Sequence, residues 1–221
     1  MTVESRAMFQ RVAILLSLLL SACGAVEEPK PSPTPGNPDW VVRSHVEFLE
    51  SDAKTSRAMP AEKLRLWLPY VVGDLYGAPN AGEVIGATLG PDLQFSFDLN
   101  QSLANLQKSL VATAFSQKWM LIEPADARVA RLSVFVMPAQ GIVPVGTSEW
   151  LDADSGARLM LIYLDRPAKI RGDIVFEGRS LRFDIDARQS GYLWIRQPDG
   201  SGEFRAVPRP ARLVLAVMPN A

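Results

Sequence analysis

With a single cysteine, Cys23, and a single histidine, His45, in 221 residues, this chain is poor in the residue types from which most site chemistry is built. One thiol cannot close an internal disulfide and excludes a Cys-rich zinc site. One imidazole excludes a multi-histidine metal centre and weakens any Ser-His or Cys-His catalytic pair. No G-x-S-x-G, Walker A, H-E-x-x-H or G-x-G-x-x-G string occurs, and no cofactor is expected. The charges nearly cancel, 23 Lys and Arg against 24 Asp and Glu, with a pI near 5.9. That balance argues against nucleic acid as a partner held by bulk positive charge. Long apolar runs are scarce as well. Residues 12–20, broken only by Ser17, reach about half of the roughly 20 residues that a spanning helix needs.

What is present suffices for a core. Hydrophobic residues make up 48% of the chain, which excludes wholesale disorder. The length favours one globular domain over residues 40–221, with two small lobes, 40–123 and 124–221, as the alternative.

The N-terminus reads as an address. Arg6 and Arg11 stand against one acid, Glu4; the short apolar run follows, and Ser21 and Ala22 supply small residues behind it. That is the layout of a secretory signal over residues 1–22. The string Leu20-Ser21-Ala22-Cys23 also resembles the lipobox of bacterial lipoproteins. The resemblance covers residues 1–23 only. It implies cleavage before Cys23, a diacylglyceryl thioether on the Cys23 sulfur and acylation of the new amino group. The lipid bilayer is then a partner, since each buried methylene contributes about 0.8 kcal/mol and several chains anchor durably. Gly24, rather than Asp, at the second mature position is similar to the pattern of Gram-negative lipoproteins sorted to the outer membrane, with the domain in the periplasm. Residues 24–39 carry Pro29, Pro31, Pro33, Pro35 and Pro38. Each fixes φ and removes a donor, so the segment is expected to be a polyproline II tether of up to about 50 Å. A Pro-rich ligand for a recognition module is its rival reading.

For the globular part the pattern predicts an α+β fold: N-terminal helices packed on an antiparallel, β-rich sandwich or barrel-like C-terminal half. Ser44 and Glu47 fit a capping box, and Val42, Val46, Leu49 and Ala53 an apolar helical stripe, which predicts a helix over 44–57. Pro60 could open a second over 61–68. Seven Gly and Pro residues make 73–91 loop-rich. Leu93, Phe95, Phe97 and Leu99 alternate with polar residues as in a half-wet strand, and Asn100 could cap a helix over 101–113. Strands are expected over 119–122 and 128–137. From there on strands recur about every ten residues, punctuated by turn signals such as Glu177-Gly178. Residues 159–164, Leu-Met-Leu-Ile-Tyr-Leu, are continuously apolar, which predicts cover on both faces. Residues 130–138 resemble 211–219, a hint of an internal repeat.

Candidate site residues are few. Tyr192, Trp194 and Arg196 fall on one face of a strand by period two, and an aromatic row beside Arg can stack on sugar rings or dock a partner; the same row can equally be core. Trp150 and Arg166 are the other candidates. Asp152-Ala153-Asp154-Ser155-Gly156 resembles the opening of a calcium loop, but its glycine comes one residue early and position 162 is Ile162, so a hairpin turn is expected and no metal. Glu123 and Asp126 are close enough in sequence to suggest acid–base work. Residues 23–156 hold 10 Lys and Arg against 16 Asp and Glu, a net of −6; residues 157–221 hold 11 against 7, a net of +4. Either a basic face meets an anionic partner, or the two halves neutralise each other.

The expectation for function is an outer-membrane-anchored lipoprotein, lipidated at Cys23, that acts as a non-enzymatic accessory or assembly subunit and binds another envelope protein. Two alternatives stay open: a lipoprotein binding a glycan, peptidoglycan fragment or lipid, and a carboxylate-dependent hydrolase.

Overall fold

Three valines and a phenylalanine in nine residues decide the first element. In the computed structural model the described residues are 40–49, 56–57, 60–84 and 87–219; the expected signal over residues 1–22, Cys23 and the expected tether over 24–39 lie outside them. Residues 41–49 form a strand, not a helix. Val42, Val46 and Phe48 are buried on one face. Spacing of four fits a helix, but it is also a multiple of two, and Phe48 completes the strand period. Ser44 does not cap: its hydroxyl donates to the Leu213 carbonyl at 2.8 Å. His45 is therefore a strand residue, with its Nε2 2.8 Å from Glu47 Oε1.

Sixteen strands run in chain order among the described residues: β1 (Val41–Leu49), β2 (Ser56–Arg57), β3 (Leu64–Trp67), β4 (Tyr70–Val72), β5 (Thr88–Leu89), β6 (Gln94–Asp98), β7 (Met120–Glu123), β8 (Val129–Leu132), β9 (Phe135–Pro138), β10 (Gly146–Asp152), β11 (Arg158–Leu164), β12 (Ala168–Phe176), β13 (Arg179–Ala187), β14 (Gly191–Arg196), β15 (Gly202–Val207) and β16 (Leu213–Pro219). One α-helix, α1 (Leu103–Ala112), accompanies them. The α+β expectation is thus overturned. The described residues are mostly β, a large mixed sheet, and among them no N-terminal helices are laid on it. At 61–68 only a single 3-10 turn, Ala61–Lys63, precedes β3. Ahead of α1, a 3-10 turn (Leu99–Ser102) is capped by Asp98, which accepts from the Asn100 amide at 2.9 Å, so the cap lies two residues before the one expected.

The main sheet runs β5-β6-β1-β16-β10-β11-β14-β15-β13-β12-β7. Its pairs are antiparallel except β1 with β16 and β13 with β15. The expected strand over 128–137 is two strands, β8 and β9, separated by Ser133 and Val134. Its proposed counterpart near the C-terminus is the single strand β16, so the two stretches are built differently. β11 is a shared wall. Leu159, Leu161 and Tyr163 face one core with Phe95, Phe97 and Leu106. Met160, Ile162 and Leu164 face a second with Ile170, Phe183 and Ile185. The unbroken apolar run has cover on both faces, as its composition requires. Both cores draw residues from each side of residue 123.

The long edge of β11 changes partner part-way. Trp150 and Leu151 of β10 pair with Leu159 and Arg158. From Leu161 onward the same edge is taken by β8. The sheet therefore forks at Met160, where β10 leaves and β8 enters.

Candidate functional site

The aromatic residues of β14 sit in the core and not on an open platform. Trp194 is 6% exposed and Trp150, on β10, 4%. Their rings meet edge to face at 5.5 Å, and Phe95 and Phe97 pack on Trp150 at 6.1 and 6.3 Å. Neither indole offers a face to a sugar, so stacking on them loses its support as a binding mode. Tyr192 lies nearer the rim, with Trp40 and Tyr163 edge-on to it at 5.1 and 5.0 Å. Gly191 backs the Trp40 indole: its φ is +121°, and a Cβ there would lie 3.0 Å from the ring.

Tyr192 belongs to a chain of hydroxyls. Its Oη is 2.7 Å from Tyr70 Oη, which is 3.0 Å from the Oγ of fully buried Ser102. Burial is the first cause that pushes the pKa of both phenols up, since a phenolate would be stranded there. The trio is thus a set of neutral hydrogen bonds linking β4, β14 and the turn before α1. Beside it opens a groove of about 560 Å³, lined by Trp40, Tyr192, Arg188 and Arg209 among others. Arg209 donates to the Val41 carbonyl at 2.8 Å.

The other candidates go elsewhere. Arg196 is exposed at the end of β14. Arg166 bridges Asp126 at 2.5 Å and Asp165 at 3.3 Å. The structure therefore brings together Trp150, Trp194 and Tyr192 and leaves Arg166 in a separate surface ion pair. Asp126, considered above for acid–base work with Glu123, is tied to that guanidinium. Asp152–Gly156 makes the β10–β11 turn: Asp152 accepts from the Asp154 amide at 3.1 Å and the Ser155 hydroxyl at 2.6 Å, and Gly156 takes φ +70°. The Ser155 hydroxyl, then the Asp154 amide, holds the Asp152 pKa below the usual carboxylate range. Among the described residues no group of three or more His, Cys, Asp or Glu is placed to hold a metal ion. Arg212 reaches Asp154 at 3.0 Å, Arg158 pairs with Glu149 and Arg166 with Asp126, so basic residues after 156 meet acids before it.

A feature of another kind is the β12–β13 hairpin. The two strands pair over nine registers, from Ala168 opposite Ala187 to Phe176 opposite Arg179. β7 flanks β12 only as far as Gly172, and β15 flanks β13 only from Leu181 to Phe183. Past Gly172 the outer edge of β12 has no strand beside it among the described residues. Glu177 and Gly178, at φ 48° and 74°, make the tight turn whose twist suits a hairpin. Val175 is 73% exposed and Leu121 on β7 70%. The register of Arg171 opposite Leu121 puts both on the outer face. The turn is legible in the sequence, but a free edge is a property of neighbouring strands and leaves no local mark. Comparison with protein-family models, characterised proteins and solved structures gave no match for this chain.

Proposed function

We propose that the chain is a non-enzymatic envelope lipoprotein, anchored through Cys23 to the outer membrane, that binds another envelope protein by pairing the free edge of the β12–β13 hairpin with one of that protein's strands. The lipobox and the proline tract support the anchor and its reach. The observation that carries the binding mode is the edge of β12 past Gly172, unflanked among the described residues, with exposed Val175 beside it. A row of unpaired amides and carbonyls is a template for an added strand. Its cross-strand ion pairs, Arg182–Asp173 and Arg171–Asp184, both at 3.4 Å, lie at the surface and contribute little to stability. They leave polar groups beside the edge to fix register.

The test is site-specific photo-crosslinking in intact cells. A crosslinker at position 175 is expected to trap one envelope protein. A crosslinker at Val111, 81% exposed on α1, is expected to trap none of it. Val175→Asp should abolish the product while changing folding stability by less than about 0.5 kcal/mol. Equal labelling from both positions, or no envelope protein from either, sinks the reading. Cys23→Ser should release the folded chain from the membrane fraction; full retention would refute the anchor.

A further inference from the structure

Two bulky aliphatic side chains stand in water on the connection from β9 to β10. Ile142 is 88% exposed and Val143 66%. The loop that carries them, residues 139–145, is held at both ends. The Ala139 amide donates to the Lys63 carbonyl at 2.7 Å, and the Val145 amide to the Val136 carbonyl at 2.9 Å. Between those clamps Gly141 takes φ +143°, a backbone setting in which a side chain is strained. The tip is thus a held projection of the sheet.

Its composition is unusual for a surface. Residues 132–148 contain no Asp, Glu, Lys, Arg or His, in a chain of which 21% is charged, although an exposed loop is where charge costs least. Arg65 of β3 reaches the tip: its Nη2 donates to the Gly141 carbonyl at 3.1 Å, and it makes no ion pair among the described residues. Lys63 has Glu62 as its sequence neighbour, so Arg65 supplies the uncompensated charge. Leu64 and Leu66 turn to the first core, and strand alternation puts Trp67 on the face of Arg65. The Trp67 ring stacks on Phe135 at 5.3 Å, and both residues are partly exposed. An aliphatic tip, an arginine behind it and an indole farther back follow the order of hydrocarbon and headgroups at a membrane surface.

We propose that the β9–β10 loop docks on a lipid surface, with Ile142 and Val143 entering the acyl boundary and Arg65 meeting an anionic headgroup. A protein partner fits less well. Two residues on a projection bury far less than the roughly 800 Å² per side of a stable protein interface, whereas a bilayer takes a projection without a matching pocket. The contact goes beyond the lipid anchor and the hairpin edge and depends on neither. It fixes which end of the domain faces the bilayer.

The test uses the full chain carrying Cys23→Ser and Gln140→Cys, so that its one thiol lies on the loop and takes an environment-sensitive dye. A second chain, with Cys23→Ser and Ala104→Cys, puts the same dye on an exposed position of α1. Each is titrated with vesicles of phosphatidylethanolamine and phosphatidylglycerol, and of phosphatidylethanolamine and phosphatidylcholine, with and without bromine on the acyl chains. The dye at position 140 is expected to shift to the blue and to be quenched by the brominated chains, and the dye at 104 to do neither. Ile142→Asp with Val143→Asp should raise the vesicle concentration needed about tenfold or more; both side chains lie outside the core, so the fold is kept. Arg65→Gln should raise it about fivefold, on the phosphatidylglycerol vesicles alone. The readout contrasts two positions in a chain without Cys23, so its failure is distinct from failure of the anchor or of the hairpin edge. No quenching at 140, equal quenching at 104, an unchanged response in the double variant, or equal binding with and without phosphatidylglycerol overturns the proposal. A photo-crosslinker at position 142 that traps a protein in cells, while vesicles leave the dye unmoved, would give the tip to a protein partner instead.

Discussion

Replacing Tyr192 by Phe removes one hydroxyl from the Tyr70–Ser102–Tyr192 chain and leaves Tyr70 short of a partner. A buried hydrogen bond lost this way costs about 1–2 kcal/mol. The expected result is a lower urea midpoint with an unchanged slope. Tyr76 makes a pH prediction. Burial pushes its phenol up to about 12, with Arg131 and then Arg158 pulling the other way. The folded state thus holds its proton more tightly than the unfolded chain, whose phenols ionise near pH 10. The contribution is complete below about pH 10 and is lost as pH rises toward about 12. Tyr70, Tyr163 and Tyr192 shift in the same direction, so urea midpoints should fall as pH rises from about 10 toward about 12, and Tyr76→Phe should flatten part of that fall. Tyr76 is 46% exposed, so its share of the fall should be the smaller one, and a midpoint independent of pH in this window would contradict the desolvation of all four phenols. At this scale the sequence was informative in part. Period two correctly aligned Tyr192 with Trp194, but no local pattern could say that Trp150, 44 positions earlier, would meet Trp194 edge to face, or that Arg166 would turn to Asp126.

Elements were legible where turn chemistry and alternation agreed. Phe95 and Phe97 on β6, the Glu177-Gly178 turn and the doubly covered β11 are cases. They were illegible where two periods coincide. Val42 and Val46 satisfy both a helix and a strand, and what decides is that β1 lies between β6 and β16, a fact about distant residues. β10 escaped notice because its seven residues mix Gly, Thr, Ser and Glu with a single Trp. The fork and the free hairpin edge are likewise relations between strands. Gly172 shows how tightly such relations bind. A Cβ there would lie 2.4 Å from the Trp119 carbonyl, where β7 approaches β12. Gly172→Ala should push β7 outward, lower stability by about 1–3 kcal/mol and change the fluorescence of Trp119. An unperturbed spectrum and midpoint would mean that β7 can shift freely.

Across the whole domain the decisive seam is β1 against β16, with His45 opposite Val214 and Phe48 opposite Val217. β10 holds the other side of β16 over seven registers. Removing residues 213–219 would expose both neighbours at once, and the truncated chain is expected to lose its cooperative melting transition and its resistance to protease. A truncated chain that still melts cooperatively would show that β16 is dispensable. Because so much of the sheet joins distant residues, refolding should be slow, in the millisecond-to-second range seen for β proteins dominated by non-local pairing. Among the described residues the seam joins the earliest-made strand to the last one made. Until β16 has been made, the sheet lacks the strand that joins β1 to β10. A chain in that state has two open flanks facing each other, so the body locks shut only when this last strand slides between them.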